Sequence, residues 1–395
     1  MKKVTLFSYM DKVLLFLSIA FSCVGVVLIL SASSIAAVLE YETSPYMFFA
    51  KQIIYSLIGY IAGFIMIKFH LKYYKKISKY YKKLSIIYLL GVILLLIYLL
   101  LYGKITNNAK SWIRLGPISI QPSEFAKSAI ILYMGYFFGD ENYKTKGKYA
   151  FLIPIIVSMI VFVLVALQPD LGTAVIIAAI AFFIFLSVPL KFNKEASTFK
   201  ILAGAVGVII LVVFLKGDKF LSFLTDAQIS RLTYKEPCTR YTDETGYQVC
   251  NGFIAIHNGG LTGLGLGAST QKYMYLPESH TDFIFPIIVE ELGVIFGVIL
   301  IICYLIMLYR IFIIAKSTYR LSNSIICYGI IIYILSHLLL NFGGILALIP
   351  LTGVPLPFLS YGGSFNLNVI ISMFIVQIIC IENNMTKQKI EIKKI

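Results

Sequence analysis

The sequence predicts an all-α integral membrane protein of about ten transmembrane helices, with a large extracellular loop between helices 7 and 8. Three observations predict it. Hydrophobic residues make up 59% of the 395, against the roughly 45–50% apolar share of soluble domains. Apolar runs near the ~20 residues needed to cross a bilayer recur along the chain, separated by short polar stretches. The charges gather between those runs rather than within them.

The predicted spans are 13–33, 47–67, 84–102, 121–139, 150–167, 171–189, 200–215, 283–309, 324–346 and 361–381. The first is followed by no convincing small-residue cleavage site and reads as a retained span, not a removed signal peptide. With no repeat, low-complexity tract or appended soluble domain, the whole chain 1–395 reads as one polytopic membrane domain, and 216–282 as the large extracellular loop within it.

The net charge of +15 would admit nucleic acid as a partner, but the positions of the charges argue against it. The segments up to Lys12, 68–83, 140–149, 191–200, 310–320 and the C-terminal tail hold 23 of the 34 Lys and Arg with six acidic residues. A ten-span chain puts all of them on one side. The opposite segments hold nine basic and ten acidic residues, so the positive-inside rule places both termini in the cytoplasm. Lysines and tyrosines alternate in clusters through 68–83, from Lys68 through Tyr73, Tyr74, Lys75 and Lys76 to Lys83. They suit anionic membrane lipid and not nucleic acid.

Cys23, Cys303, Cys327 and Cys380 lie in apolar runs, where small buried thiols are ordinary. Cys238 and Cys250 lie in the outward segment, where a disulfide persists, and they are the disulfide candidates. Closing that loop would contribute about 3 kcal/mol. The same segment opens with an apolar and charged mixture around 220–232 that suits an interfacial helix. It continues through GYQVCNGFIAIHNGGLTGLGLGAST, where the glycines demand irregular backbone, and ends in QKYMYLPESHTDFIF.

Ionisable residues at or inside a span are costly unless paired or wet, so function is sought there first. Glu124 and Lys127, in QPSEFAK, stand three apart on one helix face, as a site pair or as a structural ion pair. Asp170, in a tight outward turn, is a site residue or the cap of the next helix, and Asp282 carries the same two readings at the start of span eight. Glu290 and Glu291, deeper in that span, read as structural. His257, His280 and His337 have no metal-ligand spacing, so no dedicated zinc site is expected.

NNAKSWIRLGPISIQPSEFAK at 107–127, QPDLGTA at 168–174, YLPESHTDFIFPIIVEELG at 275–293 and TGVPLPFLSYGGS at 352–364 together resemble the SEDS family of shape, elongation, division and sporulation proteins, whose branches include FtsW and RodA. The resemblance implies a peptidoglycan glycosyltransferase that polymerises lipid II, the undecaprenyl-pyrophosphate-linked disaccharide peptide, at the outer face of a bacterial plasma membrane, beside a class B penicillin-binding protein and the divisome proteins. It further implies that Asp282 is the essential aspartate, and that Glu124, Lys127 and Asp170 are functional polar positions. GLGASTQKYMYLPESHTDFIF is closer to the FtsW branch, which implies division; elongation, as in RodA, is the alternative. The departures are Cys238, Cys250, and Phe365 where a serine or threonine commonly follows SYGGS.

The chemistry is sound without the family. A sugar hydroxyl attacking an anomeric carbon must lose a proton, and one carboxylate, Asp282, can take it. Direct displacement of an α-linked donor inverts it to a β linkage and needs no enzyme nucleophile. The leaving pyrophosphate needs cations; Lys110, Arg114 and Lys127 stand near the outward edge of span four, and a divalent cation, Mg or Mn, is the candidate cofactor. Glu124, Asp170 and His280 complete the substrate-binding expectation. A lipid II flippase is the competing transporter reading, and a non-catalytic scaffold the third; polar residues clustered at the outer face favour the enzyme.

Overall fold

The computed structural model describes residues 8–103, 112–115, 118–140, 148–189, 194–215, 235–242 and 244–394. Among them are eleven α-helices: α1 (Lys12–Leu39), α2 (Met47–Ile77), α3 (Tyr81–Tyr102), α4 (Pro122–Phe138), α5 (Leu152–Ala166), α6 (Leu171–Ser187), α7 (Lys194–Leu215), α8 (Glu244–Gly259), α9 (Ile284–Ser317), α10 (Leu321–Ile345) and α11 (Gly363–Lys394). Helices α1, α2, α3, α9, α10 and α11 are long and apolar enough to cross a membrane, and α5 and α6 are shorter apolar helices. Each predicted span falls on a helix; α8 is the helix outside that set. The interfacial helix expected around 220–232 lies outside the described residues.

Helix ends differ from the spans where no breaker stops the backbone. Helix α2 continues past residue 67 to Ile77, because no Gly or Pro occurs between Phe64 and Leu90 and Lys and Tyr are compatible with helix. A short antiparallel hairpin departs from the all-helical expectation: β1 (Ile113–Leu115) pairs with β2 (Ile118–Ile120), Ile113 facing Ile120. Alternation of Ile and Leu with Arg114 and Ser119 supplies the period of two that a strand pair uses. Tyr55 of α2 holds the hairpin through the Ser119 carbonyl at 3.2 Å, and Ser364 of α11 holds it through the same carbonyl at 3.3 Å.

The bundle packs α11 on α2, α3 on α4, and α10 on α4, α6 and α9. At Gly63 a Cβ would lie 2.2 Å from the Phe374 ring, so the bare glycine sets the closeness of α2 and α11. Large apolar side chains such as Leu94, Leu101 and Met159 stay exposed on the outside. That is the pattern of a protein whose solvent is hydrocarbon, where helices satisfy their own backbone groups. At one end Asp11 caps α1 through the Leu14 amide at 2.8 Å. It also accepts from Arg310 of α9 and exchanges two hydrogen bonds with Gln377 of α11, its amide donating to Oε1 and its carbonyl accepting from Nε2, tying three helices together.

Helix α9 is interrupted. Gly293 has φ 82° and ψ 165°, conformations that glycine adopts at no steric cost. The departure at Gly293 interrupts the helical hydrogen bonds that span it, so carbonyls before it and amides after it need other partners. The chain that follows α8 supplies four: Leu264 and Gly265 donate to the Glu290 and Glu291 carbonyls, while Val294 and Ile295 donate to the carbonyls of Gly260 and Leu261.

Candidate functional site

The stretch between α10 and α11, residues 346–362, lies at the centre of the polar chemistry. Tyr304 of α9 donates to the Pro357 carbonyl. Gln52 of α2 donates to Ser360 O at 3.3 Å, and the Ser360 hydroxyl accepts from the Leu356 amide at 2.8 Å. The turn before α9 joins the stretch when the Tyr361 amide donates to His280 O at 2.9 Å. Asn341 of α10 then bridges the two, its side-chain amide donating to Asp282 O at 2.7 Å and to Val354 O at 2.8 Å.

Asp282 is 7% exposed. Phe283, not Asp282, holds the N-cap position of α9, and no side-chain cap bond forms there, so the capping role weighed for Asp282 is not the one this turn uses. Burial, with the Glu278 charge as second cause, pushes its carboxyl up to about 7. Thr281 Oγ1 lies 3.3 Å from Asp282 Oδ1 and donates to Glu278 Oε2, which keeps the two acids side by side. Opposite stands Gly353, with φ +66°, where a Cβ would meet Asp282 Oδ2 at 3.7 Å and nothing else within 4 Å. A glycine at this point puts no side-chain atom beside that oxygen, where a Cβ would be in van der Waals contact with it.

His280 is buried between Phe48 and Tyr361, with ring centroids 4.5 Å and 5.9 Å away. Burial takes its pKa down to about 4, so at neutral pH it is an uncharged ring. Its Nδ1 has no hydrogen-bond partner among the described residues.

Asp170 caps α6 through the Thr173 amide at 3.2 Å. Its other oxygen accepts from Gln121 Nε2 at 2.9 Å and Ser123 Oγ at 3.1 Å, joining the start of α4 to the start of α6. Gly172, one turn in, would carry a Cβ 2.7 Å from Thr352 O, so this helix start abuts the stretch that faces Asp282.

Glu124 and Lys127 pair along α4, both carboxylate oxygens accepting from the ammonium at 2.8 Å, and they are 3% and 0% exposed. Lys127 also donates to His337 Nε2 at 3.0 Å, and His337 Nδ1 donates to Pro355 O at 3.0 Å. That second bond fixes the neutral tautomer, since a carbonyl only accepts. Phe365 stacks on His337 at 4.5 Å and covers the Lys127 ammonium at 5.6 Å. The pair therefore reaches the Asp282 neighbourhood indirectly, through His337 and the 354–355 carbonyls.

Lys110 lies outside the described residues; Arg114 is a strand residue whose side chain is outside them too. Cys238 and Cys250 are joined at 2.05 Å, tying a short 3-10 turn (Pro237–Arg240) to α8. Among the described residues no group of three His, Cys, Asp or Glu side chains could hold a metal ion. Asp282 with Glu278 supplies two carboxylates, and Mg takes one or two such ligands together with water and substrate phosphates.

Four contributors went unforeseen in the sequence: Asn341, Gly353, Glu278 and Lys272. Glu278 was legible as the acid of LPESHTD. Lys272 is 4% exposed and pairs with Glu291 at 2.9 Å, with Ser31 of α1 at 3.2 Å beside it. Glu290 instead accepts from Thr270 Oγ1 at 2.9 Å, Asn258 Nδ2 at 3.3 Å and the hydroxyl of Ser269.

Residues 11–385 match the family described as "Cell cycle protein" (FTSW_RODA_SPOVE). The "Probable peptidoglycan glycosyltransferase FtsW" of Bacillus subtilis (strain 168) is 38% identical over 367 residues, covering 92% of this chain and 88% of that protein. "Stage V sporulation protein E" of the same organism is 32% identical over 368 residues, covering 90% of this chain and 92% of that protein. The fold matches a chain in the structure described as "Structural coordination of polymerization and crosslinking by a peptidoglycan synthase complex", at TM-score 0.71 and 22% identity, over 95% of this chain and 98% of that one. It also matches the rod shape determining protein RodA of Thermus thermophilus, at TM-score 0.61 and 22% identity, over 94% of this chain and 96% of that one.

Proposed function

Because the chain belongs to the FtsW, RodA and SpoVE family of cell cycle proteins, we propose that it is a peptidoglycan glycosyltransferase that polymerises lipid II, with Asp282 as the catalytic base. The single observation that carries the assignment of the base is the carboxyl of Asp282. It is raised to about 7 by burial and by Glu278, and it faces Gly353, which has no side chain to set against its Oδ2. A base works best when its pKa lies near the operating pH.

In this reading the acceptor sugar hydroxyl gives its proton to Asp282 as its oxygen bonds to the donor's anomeric carbon. The bond from that carbon to the lipid pyrophosphate breaks as the new one forms, and the anomeric configuration inverts. Lys110 and Arg114 serve the leaving phosphates. His280, uncharged, lines the acceptor side, and Asp170 holds α4 and α6 at the edge of the site. Glu124 and Lys127 act through His337 on the stretch that faces Asp282. A divalent cation, Mg or Mn, bound with the lipid pyrophosphate would take Glu278 as its nearest carboxylate and would supply positive charge for the leaving phosphates; no step is assigned to it.

Ten helices cross the membrane in this reading, all but α8, with both termini cytoplasmic and 216–282 as the large extracellular loop of a single membrane domain. The distribution of basic residues supports that orientation. The printed names of the curated relatives and the GLGASTQKYMYLPESHTDFIF segment support division over elongation. A class B penicillin-binding protein and the divisome are the matching partners.

The test is purified protein incubated with labelled lipid II in detergent, with products resolved on a gel. Wild type is expected to give a polymer ladder and Asp282→Asn to lose it by ~100 to ~10,000-fold. Asparagine keeps the size and much of the polarity of aspartate but accepts no proton. Near-normal polymer from a well-expressed Asp282→Asn protein would remove the base, and wild type that moves lipid II without making polymer would replace the enzyme by a carrier.

A further inference from the structure

Helix α9 has two environments that meet at its break. From Phe283 to Glu291 its side chains are buried on every side. Beyond Gly293 a stripe of exposed apolar side chains runs from Ile295 through Val298, Ile302, Leu305 and Tyr309 to Ile313, at the three-to-four spacing of one helix face. At about 1.5 Å per residue that stripe is about 28 Å long, which matches the ~30 Å hydrocarbon core of a bilayer. The break therefore marks one edge of the hydrocarbon, and Glu290 and Glu291 lie beyond it, among protein.

The chain after α8 is fixed at that same edge. Its Gly260 and Leu261 carbonyls accept from Val294 and Ile295, its Leu264 and Gly265 amides donate to Glu290 and Glu291, and the backbones touch so closely that a Cβ on Gly263 would lie 2.2 Å from Glu291 O. Lys272 on Glu291 and Ser269 on Glu290 lock the far side of the turn. What the turn presents outward is apolar: Leu261 is 68% exposed, Leu264 49% and Leu266 57%. From Gly260 to Gln271 the sequence has no charged residue. A Gly/Leu turn of this kind is poorly suited to water, yet its position continues the hydrocarbon-facing stripe of α9.

We propose that the 261–266 turn seats its leucines in the bilayer, in the leaflet at the Asp282 end of the bundle, as an anchor that sets the height of Asp282 above the acyl chains. The occupant of this surface is lipid. Depth demands paired backbone, and the Gly263, Leu264 and Gly265 amides and the Gly260, Leu261 and Gly265 carbonyls of this segment are paired within protein. Eleven residues after Gln271 the chain arrives at Asp282, so a turn held at the hydrocarbon edge fixes where a reacting lipid-linked group must stand. The inference goes beyond the catalytic assignment and does not need it.

Depth-dependent quenching tests it. Trp112 is the chain's one tryptophan, so a Trp112→Phe background makes an introduced indole the sole emitter. Full-length protein carrying Leu264→Trp is reconstituted in phosphatidylcholine nanodiscs, with ordinary lipid or lipid brominated at shallow or deep acyl positions, and Leu266→Trp is run in parallel in case the first variant folds poorly. The expected result is a blue-shifted emission that shallow bromines quench more than deep ones and that aqueous iodide barely reaches. Quenching by iodide without quenching by bromine places the turn in water and overturns the proposal. Protection from both quenchers places it against protein and overturns it equally.

Discussion

The side-chain amide of Asn341 donates to the backbone carbonyl of Asp282 at 2.7 Å. Its second hydrogen goes to the Val354 carbonyl at 2.8 Å. One side chain on a rigid helix thus fixes both the turn that carries the carboxyl and the stretch that faces it. Replacing Asn341 by leucine leaves two buried carbonyls without donors, each at about 1–3 kcal/mol. The expected outcome is a folded but less stable protein, with kcat for polymerisation reduced ~10-fold or more, since misplacement of a base by a fraction of an ångström is costly. Purification yield, thermal unfolding and polymerisation rate measured together check this, and unchanged kcat in Asn341→Leu would show that Asp282 holds its place without Asn341.

Glu278 tunes Asp282. Burial is the larger cause of the raised carboxyl and the Glu278 charge the second. Polymerisation should therefore rise with pH through about 7, as the base ionises. Glu278→Gln removes one raising influence and should move the rise to lower pH while leaving the plateau nearly intact. A pH series of initial rates at saturating lipid II reads this directly. A midpoint that stays put in Glu278→Gln would mean the rate follows another group.

The same shift has a consequence for stability, opposite in sign to the usual aspartate. Burial pushes the folded carboxyl up to about 7, above the ordinary aspartate value. Its contribution to stability is therefore fully present below the unfolded pKa and is lost as pH rises through about 7. Asp282→Asn, which never ionises, should unfold at a higher temperature than wild type at pH 8. The advantage should shrink towards pH 4. Thermal unfolding in one detergent across that range checks it, and a variant less stable than wild type at pH 8 would count against an ionised, desolvated carboxylate.

What the sequence made legible follows from the physics of each feature. The spans were readable because hydrocarbon demands long apolar runs, and Asp282, Asp170, Glu124 and Lys127 stood out because charge in such runs is expensive. The break at Gly293 was not readable: EELGVIFG continues an apolar helical run, and its backbone departs from helix because a distant turn takes over the hydrogen bonds. Asn341 looked like one amide in an apolar helix, and its partners are 59 and 13 residues away in sequence. Lys272 and Glu291 lie 19 apart, across a loop and a helix, where no periodicity links them. The pairing of Glu124 with Lys127 was legible from spacing alone, yet their near-complete burial was not, because it depends on Phe365 and His337 arriving from two other helices.

That burial sets the last prediction, which separates two roles for Glu124 and Lys127. Removing one member leaves a buried unpaired charge, so Lys127→Ala and Glu124→Ala should each destabilise the protein by about 3–5 kcal/mol and lower its expression. Loss of activity in either single variant therefore says little about chemistry. Replacing both, as Glu124→Leu with Lys127→Met, removes the unpaired charge while keeping much of the volume. Such exchanges are often neutral or stabilising, although here His337 Nε2 loses its donor. If the pair acts through His337 and Pro355 to hold the stretch opposite Asp282, the double variant should regain much of its stability and a substantial fraction of its polymerisation rate. If either charge contacts substrate, the double variant should fold well and remain inactive. Unfolding temperature and lipid II polymerisation, measured on the two single variants and the double, distinguish these outcomes, and a folded, inactive double variant would return Lys127 to the phosphate-binding role expected from its sequence.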